Sequence, residues 1–236
     1  MSKVIAVFGA GTGLGLAVAR RFGREGFRVA LVARRKERLD TLVAELAAEG
    51  IETAGFPADL QQPAEIPALV AAIRERFGRI DAIEYGPVGG DQGFTPAAQL
   101  DAATLEGLIP LFLLTPVEVA RAVLPEWTER GDGAFLMTTG ASAVTPMAHL
   151  SGIGPVMAAA RNYVYSLNAE LADGGIYAGT LSVGAMIARS EVSEKAAERG
   201  LDGFPVVDPD QLADLYWEMY TERDGVERLY PEHAAA

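Results

Sequence analysis

Four glycines punctuate the first fifteen residues at Gly9, Gly11, Gly13 and Gly15. An apolar run, Val4-Ile5-Ala6-Val7-Phe8, leads into them, and a helical pattern with Ala17, Val18, Ala19 and Phe22 follows. Strand, tight turn and helix in that order present backbone N–H groups to a phosphate at a helix N-terminus. Glycine is needed where the chain turns with positive φ and where a side chain would block a pyrophosphate. Gly9, Gly11, Thr12, Gly13, Leu14 and Gly15 are therefore the candidate phosphate cradle. The spacing is G-x-x-x-G-x-G on Gly9, Gly13 and Gly15, since Leu14 stands where G-x-G-x-x-G would need its last glycine. The plain alternative is a glycine-rich strand-to-helix turn that binds nothing.

Arg34 and Arg35 end the next apolar run, about twenty residues beyond the glycines. In nucleotide-binding folds a carboxylate at this corner accepts the ribose 2′-OH of NAD, whereas arginine accommodates the 2′-phosphate of NADP. Positions 33, 34 and 35 hold no carboxylate. Guanidinium groups grip phosphate bidentately, so NADP(H) is expected in preference to NAD(H). Positive charge opposes the dipole at a helix start. Arg34, Arg35 and Lys36 are thus placed as if for an anion, the plain alternative being a solvated basic helix start.

Positioning these groups is the work of alternating strands and helices. Apolar runs predict strands over 4–8, 28–33, 51–57, 80–85, 133–139 and 177–183, with a short last one over 226–230. Helical spacing predicts helices over 37–49, 63–77, 101–108, 111–130, 154–171, 190–199 and 209–223. Alternation of this kind implies parallel strands with helices on both faces. The expected fold is one doubly wound α/β domain spanning 1–236, with a parallel sheet of about seven strands. No repeat, linker or low-complexity segment divides it.

The chain has no cysteine, which excludes disulfides, thiolate nucleophiles and cysteine-ligated metals. That suits a cytoplasmic protein, and no metal site is expected. Its net charge of −12 repels nucleic acid and anionic membranes, so neither is an expected partner. The most apolar later stretch, 108–125, contains Glu118, Arg121 and three prolines and does not read as a membrane span.

With Asp59-Leu60 after the third strand, Leu124-Pro125, and Ser166-Leu167-Asn168-Ala169-Glu170-Leu171 ending the long helix, these features resemble the short-chain dehydrogenase/reductase family over nearly the whole chain. The resemblance implies that Asp59 accepts from the adenine amino group while Leu60 packs nearby. Asp59 as a helix cap remains an equal alternative. It also implies that Gly86, Gly184 and Met186 border the cofactor. The family pairs subunits through two long helices, which implies a homodimer or homotetramer through residues such as Val117, Val119, Val164 and Leu167.

The family's chemistry rests on asparagine, serine, tyrosine and lysine, with the last two spaced Y-x-x-x-K. The lysine holds the nicotinamide ribose and lowers the tyrosine pKa from about 10. Counting back from Glu170-Leu171 puts the tyrosine position at Ile153, the lysine at Met157, the serine at Gly140 and the asparagine near Phe112. A test independent of register agrees. The lysines are Lys3, Lys36 and Lys195; Val32 and Glu191 precede the last two by four residues, and nothing stands four before the first. The family's Asn-Asn-Ala-Gly reads Glu84-Tyr85-Gly86-Pro87, and its Pro-Gly reads Val183-Gly184.

Tyr85, His149 and Ser142 are the candidates to replace the missing groups. Tyr85 ends a strand at the edge where open α/β sheets bind ligands. His149 has a suitable intrinsic pKa. Each has a plain alternative as packing, surface loop or cap. Tyr163 and Tyr165 lie roughly 15 Å along the helix from Ile153, too far to serve. Three functions stay open. One is an atypical NADP(H) oxidoreductase acting on a small hydrophobic substrate. Another is a catalytically inactive NADP(H) sensor or partner module, and the third is a non-redox cyclase or dehydratase. An apolar pocket from Ala141, Val144, Pro146, Met147, Ile153, Met157 and Met186 is expected in each case.

Overall fold

The computed structural model describes residues 2–88, 94–194 and 203–232. Its strands are β1 (Val4–Phe8), β2 (Arg28–Ala33), β3 (Thr53–Pro57), β4 (Ala82–Tyr85), β5 (Gly133–Gly140), β6 (Ile176–Val183), β7 (Met186–Ile187), β8 (Val206–Val207) and β9 (Glu227–Tyr230). Seven of them form one sheet, ordered β3-β2-β1-β4-β5-β6-β9 and parallel throughout, as the alternation implied. The chain leaves β1 in one direction and returns to β4 on its other side. That reversal opens a crevice at the carboxyl edge of the sheet.

The helices are α1 (Leu14–Arg24), α2 (Lys36–Ala48), α3 (Ile66–Phe77), α4 (Ala102–Ile109), α5 (Thr115–Arg130), α6 (Ile153–Leu171), α7 (Glu191–Glu194) and α8 (Pro209–Glu222). One core packs α1, α2 and α8 against the sheet through Phe22, Leu39, Leu42, Leu46 and Tyr216. The other packs α3, α5 and α6 through Val70, Ile73, Val119, Trp127 and Val164. Because both faces are covered, β1 is buried at every position, which explains its unbroken apolar run.

Three local differences from the expected pattern have physical causes. The two helices expected over 101–108 and 111–130 are one continuous helix, Ala102–Arg130. A π-turn, Pro110–Leu114, joins α4 to α5, with the Thr115 N–H reaching the Pro110 carbonyl five residues back. Proline lacks an N–H, so Pro116 cannot serve the Leu111 carbonyl, which is left without a helical donor. The joined helix is long and apolar enough to cross a membrane by composition alone, and here it packs on the sheet, α3 and α6.

Second, β7 and β8 pair with each other, a two-stranded element too short for its pattern to be read. Third, the helix expected over 190–199 is described only as α7. Its remainder, Lys195 included, lies outside the described residues, as does part of the 86–96 loop.

Candidate active site

The glycine turn follows β1 directly. Gly9 has φ +96°, and a side chain there would drive into the Pro87 backbone at 2.5 Å, so only glycine fits. Both the Gly9 and Ala10 N–H groups bond to the Val32 carbonyl at 2.9 Å, fastening the turn to the end of β2. Gly15 allows α1 to lie against Ala10, where a Cβ would come within 2.9 Å. α1 starts at Gly13 with no side-chain cap and no acidic residue in its first turn. Among the described residues no side chain caps these first N–H groups, although the Leu16 N–H bonds to the Gly11 carbonyl at 3.0 Å; an uncapped helix start of this kind suits a phosphate.

Gly86 and Gly184 lie at the same edge, bonded to the Phe8 and Tyr230 carbonyls at 3.0 and 2.7 Å. Met186 is in β7, opposite Val206. The segment after β6 bears on the turn: the Thr12 hydroxyl donates to the Arg189 carbonyl at 2.6 Å, and Gly13 packs on Ala188 and Ser190. Arg34 and Arg35 are exposed at the end of β2. Leu60 is buried, and its carbonyl accepts from the Thr115 hydroxyl at 2.7 Å. Asp59 accepts from the Gln61 N–H at 3.1 Å, a local turn contact; it does not cap the helix that follows, whose 3-10 first turn begins after Gln62.

The positions that the resemblance assigned to the catalytic groups lie close together. The Gly140 N–H points at the Met157 sulfur, 3.2 Å away. Ile153 opens α6 one turn before Met157, and both pack on the core. Phe112 is buried inside the π-turn. Positions 140, 153 and 157 thus lie together at one end of β5 and α6, offering no acid, ammonium or hydroxyl of their own. Ser142 is the polar group beside them. Its Oγ is 3.3 Å from where a Gly140 side chain would begin, and Gly154 lets α6 approach it closely.

Three comparisons bear on this edge. A family profile described as "short chain dehydrogenase" matches residues 3–199. The chain belongs to the short-chain dehydrogenase family. A 1-deoxy-11-beta-hydroxypentalenate dehydrogenase of Streptomyces exfoliatus is 28% identical over 239 residues, covering 97% of this chain and 82% of that one. A metagenomic short-chain oxidoreductase solved with NADP superimposes with a TM-score of 0.80, covering 96% of each chain at 24% identity. A 7α-hydroxysteroid dehydrogenase solved with NADH superimposes at 0.82, covering 96% of this chain and 91% of that one at 20% identity. The last two likenesses show the doubly wound fold.

Among the three candidates to stand in for the family tyrosine, the geometry removes Tyr85. Its ring is fully buried, and its hydroxyl donates to the Leu111 carbonyl at 2.5 Å. That is the carbonyl the π-turn and Pro116 leave without a donor, so Tyr85 mends the helix. Burial also pushes its pKa well above the ordinary value, the wrong direction for a proton donor near neutrality. His149 is exposed, with φ +66°, and makes no side-chain hydrogen bond among the described residues. Tyr165 is occupied elsewhere, donating to Glu227 at 2.7 Å.

Sequence reasoning missed the roles of two carboxylates, the buried Glu84 and the half-buried Glu227. Glu84 lies inside the sheet, accepting from the Thr138 hydroxyl at 2.9 Å, and Thr138 in turn meets the Tyr216 hydroxyl at 2.6 Å. Gly86 sits directly over it, since any Cβ there would strike Glu84 Oε1. Burial pushes the Glu84 pKa up to about 8. Glu227 is held on the α6 side by Arg161 at 2.8 and 2.5 Å, Tyr165 and Ser182, and Ser182 continues to Thr139 at 2.7 Å. Burial raises its pKa, and the bonds from Arg161, Tyr165 and Ser182 outweigh that and leave it low. The signal for Glu84 was an acid inside an otherwise apolar strand; for Glu227 there was none.

Arg38 was also missed. It joins Arg35 around one carboxylate, Glu191 of α7, at 3.3 and 2.8 Å. A step of three residues from Arg35 along α2 would have placed it on the same side.

Proposed function

We propose that this chain is an NADP(H)-binding short-chain dehydrogenase that works as an atypical oxidoreductase on a small, apolar substrate without the Tyr-Lys pair. The observation that carries the reading is the contrast within one edge. The cradle suits a dinucleotide: Gly9 makes a tight positive-φ turn after β1, α1 has no side-chain cap, and Arg34 and Arg35 flank the corner. The catalytic end holds Gly140, Ile153 and Met157. In this reading Gly9 to Gly15 and the start of α1 hold the pyrophosphate, and Arg34 with Arg35 take the 2′-phosphate. When bound, the cofactor supplies a hydride. Ser142 is the nearest hydroxyl to the vacant serine seat, and it is assigned to hold a substrate oxygen.

The substrate class comes from the rim. Val88, Phe94, Met147, Phe204 and Val206 are exposed apolar side chains from the loops at the crevice. The rings of Phe94 and Phe204 stand 6.3 Å apart, and Thr95 bridges to Leu150, joining the loops after β4 and β5. Clustered exposed apolar residues mark binding surface more often than chance. A second reading, an inactive NADP(H)-binding module, draws support from Met157, whose sulfur already takes the Gly140 N–H. The cysteine-free, acidic composition suits the cytoplasm.

Titrating both cofactors decides the first half. NADPH is expected to bind more tightly than NADH. Charged hydrogen bonds are each worth about 1.5–3 kcal/mol. The double change Arg34→Ala, Arg35→Ala is therefore expected to lower NADPH affinity about tenfold or more, with NADH little affected. Equal affinities in the unaltered chain would refute the preference.

Self-association is proposed as well, on only part of the face the sequence suggested: of its four residues Val117 alone is half-buried on this helix. Val119, Val164 and Leu167 are core within one chain. The helix Ala102–Arg130, however, has only 39% of its most apolar stretch buried, and Leu114 is 45% exposed upon it. A homodimer or homotetramer covering that face is expected in sedimentation at micromolar concentration, and Leu114→Glu should shift it toward monomer. A monomer at all concentrations would count against the proposal.

A further inference from the structure

Glu191 lies 156 residues from Arg35 in the chain, yet its carboxylate is shared between Arg35 Nη2 at 2.8 Å and Arg38 Nη1 at 3.3 Å. The contact is anchored on both sides. Arg35 and Arg38 stand at the start of α2. Glu191 follows a segment pinned to the glycine turn by the Thr12–Arg189 bond and by the packing of Gly13 on Ala188 and Ser190. Ser190 and Ser193 bond to each other across the first turn of α7, fixing where Glu191 starts. The acid that positions 33–35 lack is thus delivered to the same corner from the far end of the chain.

We propose that Glu191 sets the ratio of NADPH to NADH affinity by holding the 2′-phosphate seat as a competing anion. The proposal rests on the reading that Arg34 and Arg35 take the 2′-phosphate. Glu191 and a 2′-phosphate would compete for Arg35, the one arginine common to both, and two anions on it repel each other, so a 2′-phosphate that takes Arg35 must displace Glu191 from it. A 2′-hydroxyl has no such conflict, because it can donate to the carboxylate. The arginine and the acid are 56% and 40% exposed, so their bond is screened and worth little by itself. Glu191 therefore yields to NADPH rather than blocking it, and the consequence is a shifted ratio rather than an exclusion.

The test is the dissociation constant of each cofactor, read by fluorescence titration on the full chain. Glu191→Gln keeps the size and removes the charge. It is expected to tighten NADPH about two- to fivefold and to leave NADH unchanged or weaker, the size of one exposed ion pair released. Glu191→Asp, which keeps the charge, should stay near the unaltered ratio. The Arg34→Ala, Arg35→Ala variant is measured alongside. If it loses the NADPH preference while Glu191→Gln leaves the ratio where it was, the role of Glu191 is refuted and the arginine reading stands. If the arginine variant leaves the ratio unchanged, the arginine reading fails and this proposal with it.

Discussion

With NADPH and a simple ketone, turnover is expected to be about 10⁴-fold or more below that of an enzyme with the full set of catalytic groups. Reduction of a ketone needs an acid at the forming alkoxide, worth about 10²–10⁴-fold, and an oxyanion partner, worth about 10²–10³-fold. Gly140, Ile153 and Met157 provide neither, and the Gly140 N–H is turned to a sulfur. Tyr85 cannot substitute, because its hydroxyl is buried against Leu111. The assay is NADPH oxidation across ketones, quinones, imines and enones, with Ser142→Ala and His149→Ala alongside. On the native substrate class, Ser142→Ala should lower turnover while cofactor affinity holds. Tyr85→Phe should instead lower the melting temperature, since it strands the Leu111 carbonyl at about 1–3 kcal/mol. The converse experiment installs Gly140→Ser, Ile153→Tyr and Met157→Lys together, and ketone reduction should then rise. Brisk reduction of simple ketones by the unaltered chain would overturn this view of the site.

What could be read from the sequence was whatever is local. The turn at Gly9 to Gly15 is legible because positive φ and close backbone approach leave glycine no rival. The sheet is legible because strands covered on both faces must be apolar along their whole length. The absence of Y-x-x-x-K is legible because it needs no alignment: no lysine has a tyrosine four residues before it. What failed was long-range. Tyr85 looked poised at the sheet edge, since nothing in the sequence says that a π-turn twenty-six residues later would claim its hydroxyl. Val119, Val164 and Leu167 looked free for a partner because helical periodicity tells which residues share a face and not what that face meets. The meeting of Arg35 with Glu191, and of Arg161 with Glu227, joins elements far apart in the chain. Only the topology brings them together.

Stability should fall as pH rises from about 5 to about 9, and Glu84 is the reason. Its pKa goes up from 4.5 to about 8 because burial penalises the carboxylate, a penalty that the Thr138 hydrogen bond only partly offsets. The folded chain therefore binds this proton more tightly than the unfolded chain. The contribution is fully present below about 4.5, shrinks as pH rises toward 8, and is gone above it. At 1.36 kcal/mol per unit the loss is on the order of a few kcal/mol, a large share of the 5–15 kcal/mol that holds a typical domain together. Glu126, Asp132, Glu191 and Glu227, whose pKa values are lowered, act in the opposite sense and at lower pH, so they do not cancel it. Urea unfolding at pH 5, 7 and 9 would show the slope. In Glu84→Gln, which cannot ionise, the slope should flatten whatever the variant's absolute stability. Equal slopes in the two proteins would mean that Glu84 keeps its charge at neutrality. The carboxyl lies directly under Gly86, so ionising it should also disturb that rim of the crevice. Cofactor affinity should accordingly weaken over the same pH range in the unaltered chain and hold steadier in Glu84→Gln.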